Sequence, residues 1–189
     1  VTLNKVTIPN GQETLWHCNQ IKLKEVVICG DYFAMNSSDI EIDDICLKGN
    51  HSFDGCKNLT VRNSKMLSDT TFWNCENVKV YDSFISGEYI GWNSKNLTFI
   101  NCTIESLKGL CHVENLVMKG CKTHNTDLAF KYSTVDVEIE GDIVSIYNPT
   151  GGLIKCGTIG ELILDKEKVD PSKTIIDGDC INNKSERLE

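Results

Sequence analysis

Four things are scarce in this sequence of 189 residues, and the first three scarcities each remove a class of function. Basic charge is outweighed: 19 Lys and Arg stand against 27 Asp and Glu, for a formal charge of −8 and a pI near 5.0. The electrostatic footprint of a nucleic-acid binder is therefore missing. Long apolar runs are missing too, since none approaches the ~18 residues that cross a bilayer, and no basic-then-apolar leader opens the chain. Arginine occupies a single interior position, Arg62. Pectate-lyase chemistry, which sets a basic proton abstractor beside a calcium-binding acid cluster, has no assembled counterpart here. Linker-like composition is also lacking, which predicts one domain.

What is present is a repeat of 19 residues. The apolar residue opening an apolar-x-apolar pattern recurs at Ile21, Ile40, Leu59, Val78, Leu97, Leu116 and Val135, six steps without slippage. A fixed period with strand patterns inside it is the signature of a solenoid, whose rungs bury their apolar side only by stacking. Two residues after each opener comes Leu23, Ile42, Val61, Val80, Phe99, Met118 or Val137, an inward pair of period two. A polar turn follows, and then a second inward pair: Val26 and Ile28, Ile45 and Leu47, Ser64 and Met66, Ser83 and Ile85, Cys102 and Ile104, Cys121 and Thr123. A third strand carries Trp16, Met35, Trp73, Trp92 and Phe130 in one column and Cys18, Ser37, Cys56, Cys75, Ser94, Val113 and Tyr132 in another. Placing the tryptophans inward puts Leu15, Phe53, Phe72 and Leu110 outward. The opposite alternation exposes the tryptophans, and Asp54, which falls in their column, fits the inward assignment badly.

Asn58, Asn77, Asn96 and Asn115 close four consecutive rungs. Asparagine tolerates the left-handed backbone of a tight corner, and its amide can bond the same group one rung away, so a stacked Asn ladder is expected. Three short strands per rung describe an all-β fold, a single-stranded right-handed parallel β-helix (solenoid) of about nine rungs. Left-handed hexapeptide helices are excluded, because their period is a multiple of six. Val1, Leu3, Val6 and Ile8 begin the pattern with a rung of 20 residues, and Ile159 reopens it 24 residues after Val135, with an insertion around Asn148–Gly152. At about 4.8 Å per rung the stack is roughly 43 Å long.

Residues 1–181 thus form one β-helix domain, and 182–189 read as a polar tail ending in Leu188-Glu189, a cloning remnant. Val1 lies inside a core-facing strand, so rungs are expected to precede it, and the uncapped first rung is a route to self-association. Most of the ten cysteines fall in inward columns: Cys18, Cys56, Cys75 and Cys156 in one, Cys102 and Cys121 in another, and Cys111 among the tryptophans. They read as small buried hydrophobes of a reduced, cytoplasmic protein. His51, Cys56 and Cys75 do not make a zinc site, because two of them are core positions, and neither a metal nor a cofactor is expected.

The phrases Glu13-Thr14-Leu15-Trp16-His17-Cys18, Gly87-Glu88-Tyr89-Ile90-Gly91-Trp92-Asn93-Ser94, Lys95-Asn96-Leu97-Thr98 and Thr126–Val135 resemble the bacterial domain of unknown function 3737 over about residues 1 to 160. That family is one of predicted right-handed β-helices of pectin-lyase-like type. The resemblance implies the fold, a bacterial source and relatives with further rungs before this start. It implies no activity.

Function is therefore sought on the outer surface. A polar column of His17, Asn74, Asn93, His112 and Lys131, with Phe72 exposed beside it and Tyr89 and Asp127 adjacent, suits an oligosaccharide or polysaccharide: rings stack on sugar faces and polar groups meet hydroxyls. A neighbouring column holds Asp31, Asp69 and Glu88, candidate carboxylates for a glycoside hydrolase or polysaccharide lyase. Spacings of one and two rungs span the separations such carboxyl pairs use. The alternative is a non-catalytic scaffold presenting a protein or polymer surface. The polygalacturonase residue set is not assembled, and Asp43-Asp44 is a turn.

Overall fold

The computed structural model describes residues 1–184. It holds β1 (Thr2–Ile8), β2 (Asn19–Cys29), β3 (Ser38–Lys48), β4 (Lys57–Arg62), β5 (Lys65–Leu67), β6 (Glu76–Tyr81), β7 (Phe84–Ser86), β8 (Lys95–Ile100), β9 (Thr103–Glu105), β10 (Glu114–His124), β11 (Thr134–Ile139), β12 (Ile143–Tyr147), β13 (Gly151–Ile163) and β14 (Thr174–Lys184). Each strand pairs in parallel with its counterpart one turn away, so the chain coils as a β-solenoid. The one helical element among the described residues is a 3-10 turn at Pro171–Lys173.

The seven openers stand opposite one another through the stack, from Ile21 against Ile40 to Leu116 against Val135. All are buried, as is every residue of the second inward pair from Val26 to Thr123. The first rung has the 20-residue step read from the sequence, with Leu3 opposite Leu23. Beyond Val135 the expected step of 24 is corrected. Gly152 stands opposite Val135 and Thr174 opposite Gly152, steps of 17 and 22 that bring the stack to about ten rungs. Ile159 belongs to the second wall, opposite Ile143 and Cys180. Pattern reading missed the opener because it is a glycine, and steric crowding explains why: at φ +110° a Cβ there would lie 1.8 Å from the Val135 carbonyl oxygen. Asn182, Asn183 and Lys184, read as the start of a polar tail, continue β14. The rest of that tail, 185–189, lies outside the described residues.

Corners are held by ladders of side-chain amides and carboxylates. Asn58 Nδ2 donates to Asp39 Oδ1 (2.9 Å), Asn77 to Asn58 (3.1 Å), Asn96 to Asn77 (2.9 Å) and Asn115 to Asn96 (3.0 Å), the expected column at left-handed backbone positions. A second ladder lies at the turn between the first two walls, where Asn63 donates to Asp43 and Asn101 to Asp82.

The third side differs from the expected strand. Alternate residues are left-handed, for instance Thr70, Phe72 and Asn74 at φ 58°, 62° and 53°. Their N–H groups point in turn to the rung above, the rung below and the rung above: Thr70 to Glu88 O, Phe72 to Ser52 O, Asn74 to Trp92 O. This backbone sends side chains two in and two out instead of one in and one out. Phe33 and Ala34 are buried and Met35 and Asn36 face out; Thr71 and Phe72 are buried and Trp73 and Asn74 face out; Ile90 and Gly91 are buried and Trp92 and Asn93 face out.

The inward placement of the tryptophans is thus overturned. Trp16 is 38% exposed, and Phe53, Phe72 and Leu110 are fully buried. Phe130, placed with the tryptophans, packs inside with the phenylalanines, and Tyr132 faces out while Ser133 takes the inward column. One extra residue causes that shift, since Lys108 N–H meets Asp127 O instead of Thr126 O. Phe33 and Phe53 meet edge to face at 5.7 Å, and Phe53 stacks on Phe72 at 5.7 Å. Burying each such ring stabilises by about 1.5–3 kcal/mol.

Inward-pointing carbonyls of this side need donors, and the Cys/Ser column supplies them. Ser37 Oγ donates to Leu15 O (2.8 Å), Cys56 Sγ to Ala34 O (2.8 Å), Cys75 Sγ to Phe53 O (2.9 Å), Ser94 Oγ to Phe72 O (2.7 Å) and Ser133 Oγ to Leu110 O (2.9 Å). Cysteine and serine therefore share one column as interchangeable small donors, with Val113 as the one member that cannot donate. All ten cysteines are free thiols, five of them buried; Cys29, Cys46 and Cys180 are exposed, and Cys156 is half-buried outside the column assigned to it. Burial pushes the Cys56 thiol up to about 12 and the Cys111 thiol to about 11, so neither is a nucleophile at neutral pH.

Candidate functional site

The outward pairs of the third side, with the residues that lead into them, build a face along the solenoid axis. Trp73, Tyr89, Trp92, His112, Tyr132 and Tyr147 follow one another on it, all half-buried. Ring centroids are separated by 6.4 Å (Trp73–Tyr89), 5.6 Å (Tyr89–Trp92), 4.7 Å (Trp92–His112), 5.4 Å (His112–Tyr132) and 6.4 Å (Tyr132–Tyr147). A shorter group, Trp16, Tyr32 and His51, lies nearer the first rung, with Tyr32 stacked on His51 at 4.9 Å.

Two of the tryptophans, Trp73 and Trp16, are fixed by the backbone beneath them. The alternating conformation leaves some carbonyls outside the inter-rung ladder, and the indoles take them: Trp73 Nε1 donates to Tyr89 O (2.6 Å) and Trp16 Nε1 to Tyr32 O. A tryptophan whose polar handle is satisfied internally presents its apolar surface outward in a set orientation. Two lysines lie on this face. Lys131 Nζ is 5.5 Å from the Tyr132 ring centroid and 5.3 Å from that of Tyr147, and Lys108 Nζ is 5.6 Å from the Tyr89 ring and 3.5 Å from its hydroxyl. Burial, with Lys131 nearby, holds the His112 imidazole below its usual range, so it is neutral at pH 7.

The acidic column aligns as read, one residue per rung, and its members bond along the stack. Gln12 Oε1 accepts from Asp31 N–H (3.3 Å), Asp31 Oδ1 from Asn50 N–H (2.7 Å), Asn50 Oδ1 from Asp69 N–H (3.2 Å) and Asp69 Oδ1 from Glu88 N–H (2.8 Å). Amide and carboxylate oxygens alternate in one role, which is to satisfy the main chain of the next rung. Asp69 and Glu88 also border a shallow groove of about 580 Å³ with Glu105, Leu107, Asp127 and Val144. In it, Asp127 accepts from Ser145 Oγ, and Glu105 Oε1 accepts from Asn125 Nδ2 at 2.9 Å. Asp31 lies two rungs below Asp69, outside the groove lining.

Of the residues expected to bind ligand, Tyr89, His112 and Lys131 come together on the aromatic face. Asn74 and Asn93 run beside it as a hydrogen-bonded pair, Asn93 Nδ2 donating to Asn74 Oδ1 at 2.8 Å and Asn74 Nδ2 to Asp54 Oδ1 at 3.0 Å. His17 is exposed next to Trp16 at the far end, and Asp127 lies in the groove. Phe72, expected outside, is in the core and offers no stacking surface. The expectation passed over Trp73, Trp92, Tyr132, Tyr147 and Lys108. The signal that points to the tryptophans is Asp54: a charged residue in their column marks that column as outward. Among the described residues no three His, Cys, Asp or Glu side chains converge as metal ligands, and no helix is long and apolar enough to cross a membrane.

Comparison with known proteins matches residues 1–177 to the family described as "Protein of unknown function (DUF3737)". No curated protein matches the chain, and no solved structure does.

Proposed function

The chain belongs to the DUF3737 family, and from the chemistry of its outer face we propose that it binds a linear saccharide along the aromatic row, without turning it over. The carrying observation is the continuity of that row, with six rings in sequence from Trp73 to Tyr147 and no centroid gap above 6.4 Å. It crosses five rungs, about 19 Å at the parallel-strand spacing. A pyranose presents a flat apolar face ringed by hydroxyls, and a flat aromatic surface beside hydrogen-bonding side chains is its complement. Asn93 Oδ1, the hydroxyls of Tyr132 and Tyr147, and the neutral His112 supply those groups at the row. Pre-set rings also reduce the ordering cost of binding.

Binding without turnover is supported by the state of the acids. Asp31 and Asp69 each hold a main-chain N–H of the next rung, and Asn50 does the same work with an amide. A position that tolerates an amide between two carboxylates is defined by accepting a hydrogen bond, not by ionisation. Calorimetry of the protein against linear oligosaccharides of increasing length tests the reading. Affinity should climb until about four to six units cover the row, and Trp92→Ala should weaken it by at least tenfold, within the range seen when a buried contact ring is truncated. Absence of binding by every oligosaccharide at millimolar concentration would leave the chain a scaffold for other partners.

A further inference from the structure

We propose that the saccharide taken by the aromatic row is anionic, bearing carboxylate or sulfate groups, and that Lys108 and Lys131 select it. This rests on the row being a saccharide platform, and adds the class of ligand. On a chain of formal charge −8, most outward lysines beside the strands are matched to an acid about one rung away, as in Lys22–Glu41 (3.1 Å), Lys95–Glu114 (3.0 Å) and Lys119–Asp136 (2.8 Å). Among the described residues, Lys108 and Lys131 enter no ion pair, as is also true of Lys24, Lys48, Lys65 and Lys79 on the strand walls; what sets Lys108 and Lys131 apart is their place on the aromatic row. They lie instead against the rings, Lys131 between Tyr132 and Tyr147, Lys108 over Tyr89.

A cation held on ring faces is positioned while its three N–H donors stay largely uncommitted; only Lys108 spends one, on the Tyr89 hydroxyl. A neutral sugar offers such donors hydroxyls that water matches, whereas an anionic group offers charge-assisted bonds that water does not. Burial first, and the Lys131 charge second, hold the His112 imidazole below its usual range, which places Lys131 close to the row. Lys168, which also lies near Tyr132 and Tyr147, is paired with Asp165 at 2.8 Å. Carboxylates at Asp69, Glu88, Glu105 and Asp127 border the groove on the flank and would repel an acidic chain there, which leaves the row as the surface on which such a chain can lie.

The test uses a matched pair of probes: a linear uronic-acid oligosaccharide of about five units, sized to the row, and its fully methyl-esterified, neutral counterpart, with a sulfated oligosaccharide of equal length as a third arm. The free-acid oligomer should bind at least about fivefold more tightly than the ester at low salt, and the margin should shrink as ionic strength rises. Lys108→Gln with Lys131→Gln should remove the margin, read as the ratio of acid to ester affinity in the same variant, with circular dichroism confirming the fold. Tighter binding of the sulfated arm than of the carboxylate assigns the anion as sulfate. Equal binding of acid and ester, or a margin that survives both lysine substitutions, overturns the inference and leaves the saccharide platform standing. If none of the three probes binds but neutral oligosaccharides of other composition do, the anionic assignment is again overturned; if no oligosaccharide binds at all, the platform itself falls.

Discussion

The two strand walls and the third side of each rung are built from the same 19 residues under different backbone rules. On the walls the residues between the left-handed corners are extended, so side chains alternate there and the opener column holds aliphatic residues opposite one another from Ile21 to Val135. On the third side alternate residues are left-handed, side chains go two in and two out, and large aromatic residues stand on both surfaces at once. The walls set the stacking; the third side can present adjacent outward side chains, which a flat strand cannot. That is why the candidate site lies there.

The contrast is broken most forcefully by exchanging its inner and outer rings. Phe72→Ala should destabilise the fold by about 3–5 kcal/mol, the range for emptying a buried phenyl site. Trp92→Ala, from the outer column, should cost less than about 2 kcal/mol, since only part of its surface leaves water. Urea unfolding of the two variants checks the order, and equal losses would mean the two-in, two-out assignment is wrong. Next comes the inward donor column. Ser94→Ala leaves the Phe72 carbonyl without its partner and should cost about 1–3 kcal/mol, whereas Cys75→Ser keeps a donor and should be tolerated better than Cys75→Ala. Thermal melts of the three proteins decide this.

A smaller effect is expected in the acidic column. Asp69→Asn preserves an acceptor for Glu88 N–H and should leave stability within about 0.5 kcal/mol, while Asp69→Ala should lose about 1 kcal/mol. Saccharide affinity should be unchanged in the Asn variant, and loss of binding there would implicate the carboxylate directly. The smallest effect concerns pH. His112 is held below the usual histidine range in the folded state, so as pH falls through about 6.5 the unfolded chain takes up a proton that the folded one resists. Stability should therefore rise modestly from pH 5 to 7, and His112→Gln should flatten part of that slope in melting temperatures measured across the interval.

The walls were legible because two independent periods, two along the strand and 19 along the chain, agree on Ile21, Leu23, Val26 and Ile28 and on their counterparts. The Asn58–Asn115 column was legible because a left-handed corner with a stackable amide selects one residue type. The third side was not, because Leu15, Phe53, Trp73 and Trp92 are all large and apolar, and composition does not say which of two adjacent ones turns inward; only Asp54 broke the tie. Gly152 hid the opener that follows Val135 by having no side chain and by arriving after a step of 17 instead of 19. The role of Cys56 and Cys75 as donors to inward carbonyls was hidden for a related reason, since a thiol that bonds and a thiol that merely fills space look alike in sequence.

The side-chain ladders at the corners have one more consequence. In the Asn58–Asn115 ladder each residue bonds its own counterpart in the adjacent rung, as Asn77 does with Asn58 and Asn96, so this ladder does not tie a rung to its absolute place in the stack. Removing residues 78–96 would set Leu97 directly after Asn77 and close the ladder again, with Tyr89 and Trp92 gone and the aromatic row shortened. The molecule is in this sense a ruler with interchangeable divisions. The length of its outer face is set by how many divisions the chain encodes, and gaining or losing one changes that length by a whole rung.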